Sequence, residues 1–268
     1  MDFAKVHCFI TELIPSKQCR VITMNISQLL VELERTDGVF PGEAITQILD
    51  RKEESIPVLL TILEKSITEV DTLLAEEDYF GHIYAMFLLA QLREKLAYKL
   101  IADFFSLPEE TTWELTGDIL TEDLGRILAS VSCGDTTHIN KMIENPDLES
   151  LIRASALDAL LILLKNGELE RQSLIDYFKE LFEERLEKET SMVWNHLVVS
   201  SVNVYPEELH PLIKEAYAKN LVDDEFIPYS SVEEALSCDK ETVLNWLSEN
   251  PDYTLVTDAV ADISKWLA

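Results

Sequence analysis

Glycine and proline are scarce in this chain of 268 residues, 7 and 9 respectively, and that scarcity removes the frequent tight turns that an all-β fold requires. Basic residues are scarce as well. The 22 Lys and Arg face 50 Asp and Glu, a formal charge of −28 at pH 7, so the chain lacks the clustered cations that release counterions from a phosphate backbone. A nucleic-acid partner is therefore not expected. Cys8, Cys19, Cys133 and Cys238 are dispersed with no C-x-x-C among them, which suggests neither a disulfide framework nor a zinc ribbon, and reads as free thiols in a reducing cytosol. The histidines at 7, 82, 138, 196 and 210 show no H-E-x-x-H spacing, so no zinc site and no cofactor is expected.

Long apolar runs are missing too. Nothing approaches the roughly 18 residues needed to cross a bilayer. The opening MDFAKVHCFITELIP is interrupted by Lys5, His7 and Glu12 and lacks a small-residue cleavage site, which makes it a poor signal peptide. These absences together read as a soluble, cytoplasmic protein with no membrane partner. There is no Gly-rich phosphate loop, no G-x-S-x-G elbow and no Cys/His nucleophile signature, which shifts the weight from catalysis toward binding without closing the question.

What remains is helix. The composition is 47% hydrophobic, ample for a continuous core. Ala/Leu-rich segments alternate with amphipathic ones, most visibly in IYAMFLLAQL from Ile83 and IRASALDALLILL from Ile152. An apolar helix followed by an amphipathic one is the signature of stacked helix pairs of the HEAT type, expected here as an all-α right-handed α-solenoid. Aligning Ile83, Leu124, Ile152 and Val193 gives separations of 41, 28 and 41 residues, against a HEAT period of roughly 40, so the repeat is degenerate.

Three regions follow: an N-terminal helical cap over 1–40, the repeats over 41–220, and an acidic loop with a C-terminal helical cap over 221–268. In the first, ITMNISQLLVEL reads as a helix ended by Asp37-Gly38. Pro41 and Pro57 are each placed for the first turn of a helix. Gly134 and Gly167 read as helix stops, Asp135 as a cap, and Pro211 as a helix start. Ser231 to Glu234 reads as a capping box, and Trp246 and Trp266 as core of a cap that closes the end of the stack.

Among polar residues, Tyr79, His82, Tyr84 and Arg93 lie on or beside the apolar second-unit helix, and convergence with Asp118 and Glu122 would make a pocket for a small polar ligand. Glu122 and Asp123 stand at a helix start, either as an acidic contact or simply meeting the positive end of the dipole behind a Thr121 cap, with Arg126 placed to pair with Glu122.

The stretch GDILTEDLGRILASVSCGD from Gly117 to Asp135, with HIYAMFLLAQLREKLAY before it and YPEELHPLIKEAYAKNLVDDEFI after it, resembles the bacterial domain-of-unknown-function family 1186. The resemblance spans roughly residues 38 to 236 and implies no activity. Members often end in a Cys-rich, metal-binding SEC-C tail, and nothing similar follows Cys238 here.

Composition and repeat together point to a non-enzymatic acidic scaffold that holds a protein segment, favourably a basic one, in its groove. Two alternatives stand beside it. One is a ligand-binding protein or enzyme similar to the HEAT-type bilin lyases, with Arg93, Arg126 and Arg153 converging on an acidic ligand. The other is a DNA mimic, marked by regular carboxylates along one face.

Overall fold

The computed structural model describes residues 24–34, 40–76 and 79–266, except the side chains of residues 120 and 121. The readings placed on residues 1–23 and on Asp37-Gly38 lie outside these. All regular structure among the described residues is helical, with no strand. The chain opens with α1 (Ile26–Glu34), capped reciprocally: Asn25 Oδ1 accepts from Gln28 N at 2.9 Å and Gln28 Oε1 accepts from Asn25 N at 3.0 Å. α2 (Gly42–Asp50) follows Pro41, and α3 (Lys52–Thr68) follows α2 almost directly. Pro57 therefore sits inside α3 rather than in its first turn. The helix starts earlier because Glu53 and Glu54 favour its positive end, and the helix continues through one missing N–H.

Beyond the short α4 (Val70–Leu74) come α5 (Gly81–Gln91) and α6 (Ala97–Phe104). Every residue of α5 from Gly81 to Ala90 is buried, as an all-round apolar helix demands. The sequence between Glu109 and Ser132 then forms three pieces: α7 (Glu109–Thr116), α8 (Ile119–Glu122) and α9 (Leu124–Ser132). Thr121 lies inside α8, so it is not the expected cap. α10 (Thr137–Glu144), α11 (Ser150–Lys165), α12 (Arg171–Glu180), α13 (Met192–Asn203) and α14 (His210–Ala218) complete the middle, with a π-helical turn over Leu181–Arg185 after α12.

Helices α3, α5, α9, α11 and α13 each touch the next, forming a row, with α6, α10 and α12 against its members. The row has an internal register. The turns after α5, α9, α11 and α13 each contain a left-handed residue, Arg93, Cys133, Gly167 and Tyr205, at intervals of 40, 34 and 38. These ends repeat more evenly than the helix starts aligned in the sequence. At Arg93 and Gly167 the closing bonds run from Glu94 N to Leu89 O and from Glu168 N to Leu163 O, which satisfies the last carbonyls.

Scarce arginines staple neighbouring layers. Arg93 binds Glu168 at 2.6 Å, Arg153 binds both oxygens of Glu187, and Arg171 binds both oxygens of Glu208. The hydrogen bond from Arg171 holds Glu208 down at about 2 despite partial burial.

The C-terminal part departs most from expectation. α15 (Tyr229–Ser237) starts two residues before Ser231, so Ser231 is not a cap residue. α16 (Lys240–Glu249) lies against α13 and α11, and leaves Trp246 48% exposed. The chain then turns back. Residues 254–258 run without helix across the row, and α17 (Ala259–Ser264) packs on α5 and α2. α15 and α16 thus pack on α13 at the end of the row, and the residues after them cross it lengthwise. Side chains of the row hold its backbone: Lys165 Nζ donates to Asn250 O, Ser130 Oγ accepts from Val256 N at 2.9 Å, and Gln91 Oε1 accepts from Ala259 N at 2.8 Å. Val256, Ala259 and Ile263 are buried beneath it.

Candidate functional site, a pocket beside the returning tail

Gly125 sets the geometry of the site. A Cβ there would lie 2.8 Å from Ser155 O and 3.2 Å from Asp158 Cβ, so only glycine lets α9 approach α11 this closely. Gly125→Ala is expected to lower stability by about 1–3 kcal/mol, because pushing on a backbone carbonyl outweighs the ~1 kcal/mol gain in helix propensity. Thermal unfolding measures it, and an unchanged or raised Tm would contradict the close approach.

Where the two helices diverge, the tail supplies a third wall. The pocket of about 460 Å³ is lined by Glu122, Asp123, Arg126, Asp158, Asp252, Tyr253 and Lys265 among others. Arg126 cannot serve an incoming anion. It is held by Asp123, by Asp262 Oδ2 at 2.9 Å and by Thr254 O, and Trp266 Nε1 donates to the other oxygen of Asp123. Burial pulls the Arg126 guanidinium down, but Asp262 and Asp123 outweigh it and push it up. Lys265 is paired with Asp262 at 3.0 Å.

Asp158 is different. No group among the described residues donates a hydrogen bond to it or forms an ion pair with it, and burial alone raises its carboxyl from 3.8 to about 7. Its charge is felt opposite: burial and then the Asp158 carboxylate push the Tyr253 hydroxyl up. A mostly buried carboxylate with no cation, in an open pocket, is the pattern of a binding residue.

The sequence candidates divide among several places. Glu122, Asp123 and Arg126 line this pocket, though Arg126 pairs with Asp123 rather than Glu122. Tyr79, His82 and Asp118 line a second cavity, to which Trp266 also contributes. Tyr84 is buried in the core, Arg93 is tied to Glu168, and Arg153 lies 2% exposed beneath Glu187. The three arginines thus serve three separate carboxylate sets and do not converge on one ligand. Asp158, Asp252, Tyr253 and Lys265 were not singled out from sequence. Only Asp158 left a signal there, as the one charged residue between Arg153 and Lys165 in an otherwise apolar helix.

A family model described as "Protein of unknown function (DUF1186)" matches residues 24–268. The chain belongs to that family. The match takes in the returning tail as well as the helical row, so both walls of the pocket fall inside the DUF1186 unit. The chain is 39% identical over 247 residues to an uncharacterized protein of Chlamydia trachomatis serovar D, covering 92% of this chain and 97% of that one. A counterpart in Chlamydia muridarum is 39% identical over 245 residues, covering 91% and 97%. No solved structure matches. Among the described residues of this DUF1186 protein, no helix is long and apolar enough to cross a membrane.

Proposed function

We propose that this DUF1186 protein is a non-enzymatic, acidic helical-repeat scaffold that binds a basic protein segment and seats one lysine or arginine side chain against Asp158. The carrying observation is that carboxylate: half-buried, without a cation among the described residues, and facing a pocket large enough for a long side chain. Glu122 and Asp252 stand on the same lining and favour a positive visitor. The −28 charge would speed the encounter by steering, an effect that salt screens over a Debye length of about 8 Å at physiological ionic strength. The inner row of helices is covered by the protein's own tail, so the segment is placed beside the tail rather than in an open groove.

The test is fluorescence anisotropy with a labelled lysine-rich peptide against its fully acetylated twin, from low to high salt. Binding of the cationic peptide alone, weakening with salt and reduced by Asp158→Asn, is expected. Equal binding of the acetylated peptide, or no dependence on Asp158, would refute the reading.

A further inference from the structure

The cavity lined by Trp266 and His82 holds a different chemistry. It measures about 440 Å³ and is walled by Leu73, Phe80, Ile83, Leu115, Ile119 and the Trp266 ring. Its polar lining is Glu76, Tyr79, His82, Glu114, Thr116 and Asp118, with no lysine or arginine among the described residues. Glu76, Glu114 and Asp118 are exposed at the rim, whereas His82 is 1% exposed.

The protonation of His82 follows from its contacts. Nε2 lies 2.7 Å from Leu115 O, and a carbonyl only accepts, so the proton is on Nε2. Burial outweighs that bond and lowers the ring to about 4, so it is neutral at pH 7. Nδ1 is then a bare acceptor, and it has no partner among the described residues. The ring itself is fixed, stacked between Tyr79 at 6.0 Å and Phe104 at 5.8 Å. Tyr79 covers it because residue 81 is glycine: a Cβ there would meet the Tyr79 hydroxyl at 2.5 Å. A buried acceptor left unmatched costs stability, and such a cost persists where something else supplies the donor.

We infer that this cavity is a second site, independent of the Asp158 pocket, for an amphipathic organic amine. The apolar ring of the ligand lies among Phe80, Ile83, Leu115 and Trp266, and a hydroxyl on that ring donates to His82 Nδ1, displacing Tyr79 from its stack on the imidazole. The ammonium faces Glu76, Glu114 and Asp118, with the Trp266 ring adding cation–π attraction. An anion is refused at the rim by three carboxylates and at the base by a lone pair. The volume suits a ligand of one or two rings.

Tyramine is the probe, its phenol hydroxyl the donor for His82 Nδ1, with 3-(4-hydroxyphenyl)propionate and 4-ethylphenol as its anionic and neutral counterparts, each titrated into the full chain by calorimetry. Histidine ¹⁵N NMR follows Nδ1. The amine is expected to bind at least tenfold more tightly than the acid and to shift the Nδ1 resonance of one histidine, the one lost in His82→Phe. That variant should weaken the amine about tenfold, the equivalent of one hydrogen bond. Should His82→Phe fail to fold, Glu76→Gln with Glu114→Gln, both at exposed positions, should weaken the amine severalfold and leave 4-ethylphenol unchanged. Equal binding of amine and acid, absence of amine binding at millimolar concentration, or an unmoved Nδ1 signal at saturation would overturn the assignment.

Discussion

Asp158→Asn is expected to make the free protein more stable at pH 8 while removing its affinity for basic segments. The carboxyl titrates at about 7 in the folded protein against an ordinary 3.8. A raised acid is favoured in its protonated form, so its contribution to stability is full below 3.8 and is lost as pH rises through 7. Roughly three pH units at 1.36 kcal/mol each set a ceiling of about 4 kcal/mol on the cost of the charged form. The pocket is open to water on one side, so about 2 kcal/mol is the expected gain for the neutral asparagine at pH 8. The gain should shrink steadily toward pH 4, where the native carboxyl is already neutral. Urea unfolding at the two pH values measures it. A gain that is the same at both, or no gain at pH 8, would mean that the carboxylate is not held without a partner. A residue that costs stability in the free protein is the kind retained for what it binds.

Arg153→Met should produce the largest loss, about 3 kcal/mol or more. The arginine is 2% exposed, and its Nε donates to Ile143 O at 2.8 Å while its two terminal nitrogens hold Glu187 at 2.6 and 2.8 Å. Methionine replaces the aliphatic stem but leaves a buried carbonyl and a half-buried carboxylate without a donor. The position matters beyond the pair, because Glu187 also presents its carbonyl to Trp194 Nε1 at 2.9 Å and so anchors the start of α13. The acid dependence offers a second readout. The hydrogen bond from Arg153 lowers the Glu187 carboxyl, so its contribution is present above the ordinary glutamate range and fades as acid protonates it; the variant loses that slope. Adding Glu187→Leu to Arg153→Met should recover part of the loss, and a double-mutant cycle that is purely additive would show the pair to be uncoupled.

The helical row was legible because its signal is local. The run from Ile83 is apolar almost all round and that from Ile152 is rich in Ala and Leu, and α5 is buried throughout while α11 is buried along most of its length. Pro57 misled for a local reason as well: proline suits a first turn, but the acids at 53 and 54 started α3 earlier. The site was legible only in fragments. Glu122, Asp123 and Arg126 were visible as a charged helix start, whereas Asp252, Tyr253 and Lys265 reach the same pocket only because the chain reverses after Pro251. That reversal depends on contacts more than a hundred residues apart, Arg126 with Asp262 and Ser130 with Val256, and no periodicity records them. Asp158 could have been noticed as a lone charge in an apolar helix, but its missing cation is a fact about neighbours from other elements.

The returning tail also changes how the protein must acquire its structure. In an open array of helical repeats each unit leans only on its neighbours, folding can begin anywhere, and a lost end unit removes one increment of stability. Here Val256, Ala259 and Ile263 complete the cover over helices near the other end of the chain. Helices α2 and α5 therefore wait, incompletely covered, until residues 256–263 have been made. Such long-range closure slows folding, and it joins units that would otherwise melt separately into one cooperative whole.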